Sequence, residues 1–174
     1  MTNHYQKIEK EAINVFEIKG VENSSPTRLR HDGFAETVGR DPRIQITQTI
    51  TGDFIRLKAK EKFSEAIEAG KLNNIDVIYS HNDEMTLGAL DALDEHQLEN
   101  KFVVVSIDAQ KEMIDLLKKR KVNCVVECNP FMGELVANTV KRYFDNKTIS
   151  EDIYVSDTVF SDQNSLSTIP PRNY

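Results

Sequence analysis

Polar and aromatic residues fall just past the ends of successive apolar runs, where hydrogen bonds and a ring face can meet a small ligand. Arg30 carries a rigid fork of donors suited to vicinal hydroxyls, a ring oxygen or a carboxylate. On position alone, a surface ion pair suits it better. Phe54 stands in the turn Gly52-Asp53-Phe54, where its face can cover the C–H side of a ring molecule or pack the start of a helix. Asn82 both donates and accepts, as a hydroxyl does, while Asp83 beside it is placed to cap the following helix. Asp108 closes an apolar run, and a carboxylate there needs donors from ligand hydroxyls or from the next helix. Glu127 and Cys128 end a further run before Asn129-Pro130; alternation lets one of them face the same side, not both.

The elements that must position these groups alternate along the chain. Residues 13–18 and 44–50 alternate in polarity and read as strands. Residues 75–80 form a short strand, 102–107 a central strand buried on both faces, 122–128 another, and 154–160 a last β-like stretch. One helix is expected after the turn 20–26, capped by Thr27 and carrying Phe34 and Val38. The next opens at Thr51-Gly-Asp53, with Ile55, Ala59, Phe63, Ala66 and Ile67 on one stripe, and Gly70 stops it. Others carry Met85, Ala89, Leu90 and Leu93, or span residues 111–121 and 131–144. This order predicts a three-layer α/β/α, Rossmann-like (flavodoxin-like) parallel sheet. Such sheets bind ligands beyond the carboxyl ends of their strands, the edge on which the turns 23–30, 52–54, 81–83 and 108–110 fall.

Composition narrows the function classes. The 174 residues suit one well-packed domain, and 39% hydrophobic with 29% charged residues is ordinary for a globular chain. No apolar run approaches the ~20 residues that cross a bilayer. Residues 1–7 lack the apolar core of a signal peptide, so the chain is expected in the cytoplasm if Met1 is its natural start. A net charge of −6 argues against a nucleic-acid partner, and Lys118-Lys119-Arg120-Lys121 reads as a helix C-terminus. Cys124 and Cys128 would lie roughly 13 Å apart on one strand at ~3.3 Å per residue, too far for a disulfide and without histidines for zinc. Neither a nucleophile motif nor a phosphate loop occurs, and His81 is the only histidine expected near the edge. A binding module, without catalysis, cofactor or metal, is the expectation.

The segments around those turns resemble the ribose/galactose-type sugar-binding proteins of ABC importers, in particular the galactofuranose-binding branch. The carriers are Ser24-Ser-Pro-Thr-Arg-Leu-Arg-His-Asp-Gly-Phe34, Thr51-Gly-Asp-Phe-Ile-Arg56 and Tyr79-Ser-His-Asn-Asp-Glu-Met-Thr-Leu-Gly-Ala89. Val105-Ser-Ile-Asp108, Val126-Glu-Cys-Asn-Pro130 and the terminal Pro-Arg-Asn-Tyr174 extend the likeness. The resemblance implies that Arg30, four positions before Phe34, binds ligand with Phe54, Asn82 and Asp108, and with Glu127 or Cys128. It also implies a periplasmic-binding-protein type I C-terminal lobe over residues 1–128. Residues 129–155 would be a hinge crossing plus a helix that packs on the missing N-terminal lobe, and 156–174 a return strand and tail. A monosaccharide ligand, an ABC permease partner and a periplasmic or cell-surface full-length parent follow in the same way. The effector domain of a LacI-type transcription regulator shares this fold and is the alternative.

The helix over 131–144 carries Phe131, Leu135, Val136, Val140 and Phe144. Fully burying each such side chain is worth ~1.5–3 kcal/mol. It is therefore expected to dock on a second copy as a homodimer, on the missing N-terminal lobe, or back on its own sheet.

Overall fold

Ile13, Val15, Phe16 and Ile18 are all fully buried, so strand β1 (Ile13–Lys19) has protein on both faces and lies inside the sheet. The computed structural model describes residues 11–99, 101–163 and 166–174; the opening residues 1–7 read above lie outside them. Helix α1 (Ser25–Val38) returns the chain to β2 (Ile44–Thr51), and α2 (Arg56–Glu68) leads to β3 (Val77–Ser80). Helix α3 (Asp83–Glu95), β4 (Val103–Asp108), α4 (Lys111–Lys118) and β5 (Cys124–Glu127) continue the pattern. Helix α5 (Gly133–Phe144), the short strand β6 (Val159–Ser161) and a 3-10 turn (Leu166–Thr168) complete it.

The sheet order is β2-β1-β3-β4-β5-β6. Pairing is parallel from β2 to β5, and β6 is antiparallel to β5. The last strand is shorter than the stretch 154–160 and reversed, because the chain returns alongside β5: Glu127 N–H donates to Thr158 O at 2.8 Å.

Alternation assigns the two faces. Phe16, Ile18, Ile78 and Val104 pack with Ala59 and Phe63 of α2, Met85 and Leu93 of α3, and Met113 and Leu117 of α4. Val15, Val77, Tyr79 and Val105 point the other way, onto Val38 and Phe34 of α1. The three expected layers are present, with α1 the only helix among the described residues on its face.

Local signals shifted by a few residues. Ser24, not Thr27, caps α1: its side chain accepts from Thr27 N–H at 3.4 Å. Helix α2 begins at Arg56, which leaves Ile55 outside the apolar stripe and 54% exposed. Helix α4 stops at Lys118, short of Lys121. Helix α5 does not fold back on the sheet: none of its residues is buried, and Phe131, Val136, Val140 and Phe144 are exposed.

Helices α2 and α3 meet backbone to backbone. A Cβ on Gly88 would lie 2.2 Å from Arg56 O and 2.9 Å from Lys60 N, while Arg56 grips Asp91 through Nε at 2.8 Å and Nη2 at 2.9 Å. Gly88→Ala must push the helices apart and should cost about 1–3 kcal/mol. That would appear as a lower urea midpoint at unchanged slope. An unchanged midpoint would mean the contact is not close.

Candidate functional site: a polar rim at the carboxyl edge of the sheet

Arg30 is the hub of the rim. The Ser24 cap and Pro26 start α1 beside the end of β1, so Arg30 points across the carboxyl edge. Its Nη1 donates to the carbonyl of His81 and its Nη2 to Asp108 Oδ1 at 3.2 Å. The guanidinium carbon lies 6.0 Å from the centroid of the Phe54 ring. Arg30 is thus no free surface arginine. It joins the turns after β3 and β4 beside the ring contributed by the turn after β2.

Two of these turns are strained. Asp53 and Phe54 have φ of 54° and 63°, and Asp108 and Ala109 have φ of 129° and 66°, values that L-residues hold only when neighbours fix them. Gly20 makes room for Phe54: a Cβ there would stand 1.9 Å from the ring's Cζ. The Asp108 carbonyl accepts from Cys128 N–H at 3.1 Å, tying this turn to the end of β5. Burial pushes the Asp108 carboxyl above its ordinary value, although Arg30 opposes the shift.

The division of labour between Asn82 and Asp83 differs from expectation. Asn82 is the cap of α3, its Oδ1 accepting from Met85 N–H at 3.0 Å. This fixes the amide, whose Nδ2 bonds to none of the described residues. Asp83 lies behind it, fully buried, accepting from Ser106 Oγ at 2.5 Å and from Gln110 N–H at 2.7 Å. Burial pushes this carboxyl up to about 7, against those two hydrogen bonds.

Glu127 and Cys128 separate as strand alternation demands. Glu127 is buried under the terminal segment, accepting from Arg172 Nη1 at 2.7 Å, Tyr174 O–H at 2.9 Å and Thr158 N–H at 3.0 Å. Burial alone would raise its pKa, but hydrogen bonds from Tyr174 and Thr158 and the charge of Arg172 bring it below the ordinary value. Cys128 is exposed, and both cysteines are free thiols.

Two residues of this region were missed in the sequence. Glu17, inside β1, has no exposed surface and accepts from His31 Nδ1 at 2.8 Å and His81 Nε2 at 3.0 Å. His81 is therefore not the only histidine near the edge. The available signal was the carboxylate in Val15-Phe16-Glu17-Ile18, a charge where both faces of the strand are covered. Among the described residues, no group of three or more His, Cys, Asp or Glu side chains is arranged to hold a metal ion. None of the described helices is long and apolar enough to cross a membrane.

A parallel sheet with a guanidinium, a carboxylate, a capped amide and a ring beyond its carboxyl ends has its polar groups at the edge where α/β proteins gather small ligands. The chain belongs to the periplasmic binding protein domain family, which matches residues 4–148. It is 31% identical to the galactofuranose-binding protein YtfQ of Escherichia coli over 153 residues, covering 85% of this chain and 48% of that protein. It is 28% identical to the fructose import binding protein FruE of Bifidobacterium longum over 150 residues, covering 86% and 45%. The chain spans about half the length of the curated relatives it matches. A crystal structure of a galactofuranose binding protein superposes with a TM-score of 0.82 at 28% identity, covering 92% of this chain and 55% of that one. One from Mycobacterium smegmatis in complex with β-D-fucofuranose gives 0.83 at 26% identity, covering 93% and 53%. The fold is that of type I periplasmic binding proteins.

The buried acid behind the rim gives the fold a pH signature. Because Asp83 holds its proton more tightly folded than unfolded, stability falls as pH rises from about 4 to about 7. Asp108 acts in the same direction. Glu17 and Glu127, shifted downward, act below their ordinary value of 4.5 and leave the window from 5 to 7 unaffected. Urea midpoints should therefore decline between pH 5 and 7, and Asp83→Asn should flatten that decline. A wild-type midpoint rising through the same window would contradict the assignment.

Proposed function

We propose that this chain is the C-terminal lobe of a sugar-binding protein of an ABC importer and supplies one wall of a monosaccharide site. The observation that carries the reading is Arg30, held between the His81 carbonyl and Asp108 beside the Phe54 ring. In this reading Arg30 donates to sugar hydroxyls or the ring oxygen, Asp108 accepts from them, and Asn82 donates through Nδ2. Phe54 covers the C–H face of the ring. Cys128, exposed beside Asp108, faces the cleft, while Glu127 holds the terminal segment in place. The task is binding, with no bond made or broken. Five-membered-ring sugars are the favoured class, since relatives are named for galactofuranose and one was crystallised with a fucofuranose.

Residues 1–128 then form the lobe, and residues 129–155 cross a hinge and present α5 to an N-terminal lobe. Residues 156–174 return the chain, with Asn129 N–H bonded to Asp157 Oδ1 at 2.9 Å where the crossings meet. An exported full-length parent serving a membrane permease fits this arrangement. Because α5 buries nothing on its own sheet, Val140→Glu should change stability by no more than about 0.5 kcal/mol while improving solubility. A large loss in urea unfolding would place α5 in the lobe's core instead.

NMR titration of the chain with galactofuranose, arabinofuranose and ribose tests the site. One wall cannot exclude water, so affinity should lie near millimolar, with shifts confined to the turns carrying Arg30, Phe54, Asn82 and Asp108. Arg30→Ala should weaken binding about tenfold or more, as expected when charge-assisted hydrogen bonds are lost. Micromolar binding by the chain alone would refute the one-wall reading. Shifts from no sugar at these positions would refute the sugar reading.

A further inference from the structure

Glu17 cannot touch a sugar, yet it touches what holds the rim. It lies on the α1 side of β1 with no exposed surface. Its Oε1 and Oε2 lie 2.8 and 3.0 Å from His31 Nδ1, its Oε1 lies 3.0 Å from His81 Nε2, and Lys19 Nζ stands 3.5 Å away. Burial alone would raise this carboxyl, but His81, His31 and Lys19 together bring it below its ordinary value, so it is a charge. A carboxylate only accepts, so both imidazole nitrogens facing it carry their proton.

His81 is thereby fixed in one form. Its Nδ1 is buried and has no hydrogen-bond partner among the described residues. A second proton there would be an orphaned buried donor, so the ring is neutral with its proton on Nε2. Tyr79 holds it from one side, ring centroids 5.3 Å apart, and the Tyr79 hydroxyl donates to Arg30 O at 3.0 Å.

Two links therefore join α1 to the turn after β3. On the rim, the Arg30 side chain donates to the His81 carbonyl. Beneath it, Glu17 grips His31, the neighbour of Arg30, and the imidazole of His81, the neighbour of Asn82. We propose that Glu17 is the positioning residue of the binding rim, setting Arg30 and Asn82 by clamping the two histidines beside them. The inference deepens the sugar-site reading and rests on it for the identity of the ligand, not for the clamp.

The test uses the full chain with ¹⁵N-labelled histidine, arginine and asparagine. Wild-type His81 should show a single Nε2–H tautomer. In Glu17→Gln the tautomer should become mixed, the Arg30 guanidinium and Asn82 amide resonances should shift and broaden, and furanose affinity should fall about tenfold. His31→Ala, at a partly exposed position, removes one arm of the clamp. It should move the same resonances less, and it carries the test if Glu17→Gln fails to fold. Unmoved Arg30 and Asn82 resonances in the folded variants would overturn the proposal. If those resonances move but no sugar binds the wild type, the clamp stands and the sugar reading falls.

Discussion

A single guanidinium reaching over the carboxyl edge of the sheet organises this molecule's chemistry. Arg30 bonds the carbonyl after β3 and the carboxylate after β4, and the ring after β2 lies beside it. The middle strands of the sheet are covered on both faces; Glu17 and Ser106 stay buried within β1 and β4, while the polar side chains of the rim lie past the strand ends. There the loops are short, and a long side chain from the neighbouring helix can span them. The strained backbone at Asp53, Phe54, Asp108 and Ala109 persists because such contacts leave each turn little choice.

Behind the rim, two buried carboxylates in similar surroundings take opposite courses. Desolvation opposes the charge on both. Glu17 meets two imidazole N–H groups and a lysine, and stays ionised. Asp83 meets the Ser106 hydroxyl and the Gln110 and Ala109 amides, with the like charge of Asp108 close by, and burial drives it toward neutrality at ordinary pH. The rim thus keeps a firm anchor on the α1 side and a softer, proton-sensitive one on the α3 side.

At the other end of the chain, burial runs out. Helix α5 carries a full apolar face and hides none of it, while β6 rejoins the sheet through Thr158 and Glu127. The Arg172 and Tyr174 side chains close over Glu127, so the terminal segment seals the end of β5 while α5 stays outside. The chain, spanning about half the length of the curated relatives it matches, thus joins one well-packed sheet to an amphipathic helix with none of its residues buried.

Much of this was local and therefore legible. Alternation, apolar runs and helical stripes marked the first five strands and the five helices of the described residues, and the rule that ligands gather beyond parallel strands singled out the turns at Arg30, Phe54, Asn82 and Asp108, although a ligand role for Arg30 came only from the family resemblance. What the sequence could not yield depends on partners far along the chain. Glu17 meets His81 from 64 residues away, so nothing nearby distinguishes an anchored carboxylate from a misplaced one. Glu127 and Cys128 became distinguishable only once the terminal segment was seen to close over one of them. The cap of α3 passed from Asp83 to Asn82 because Ser106 and the Gln110 amide, on β4 and beyond, claimed the aspartate. Periodicity thus determined which elements form and which edge they present. Tertiary structure alone decided which polar group each buried charge would meet, because that depends on packing between segments the sequence keeps apart.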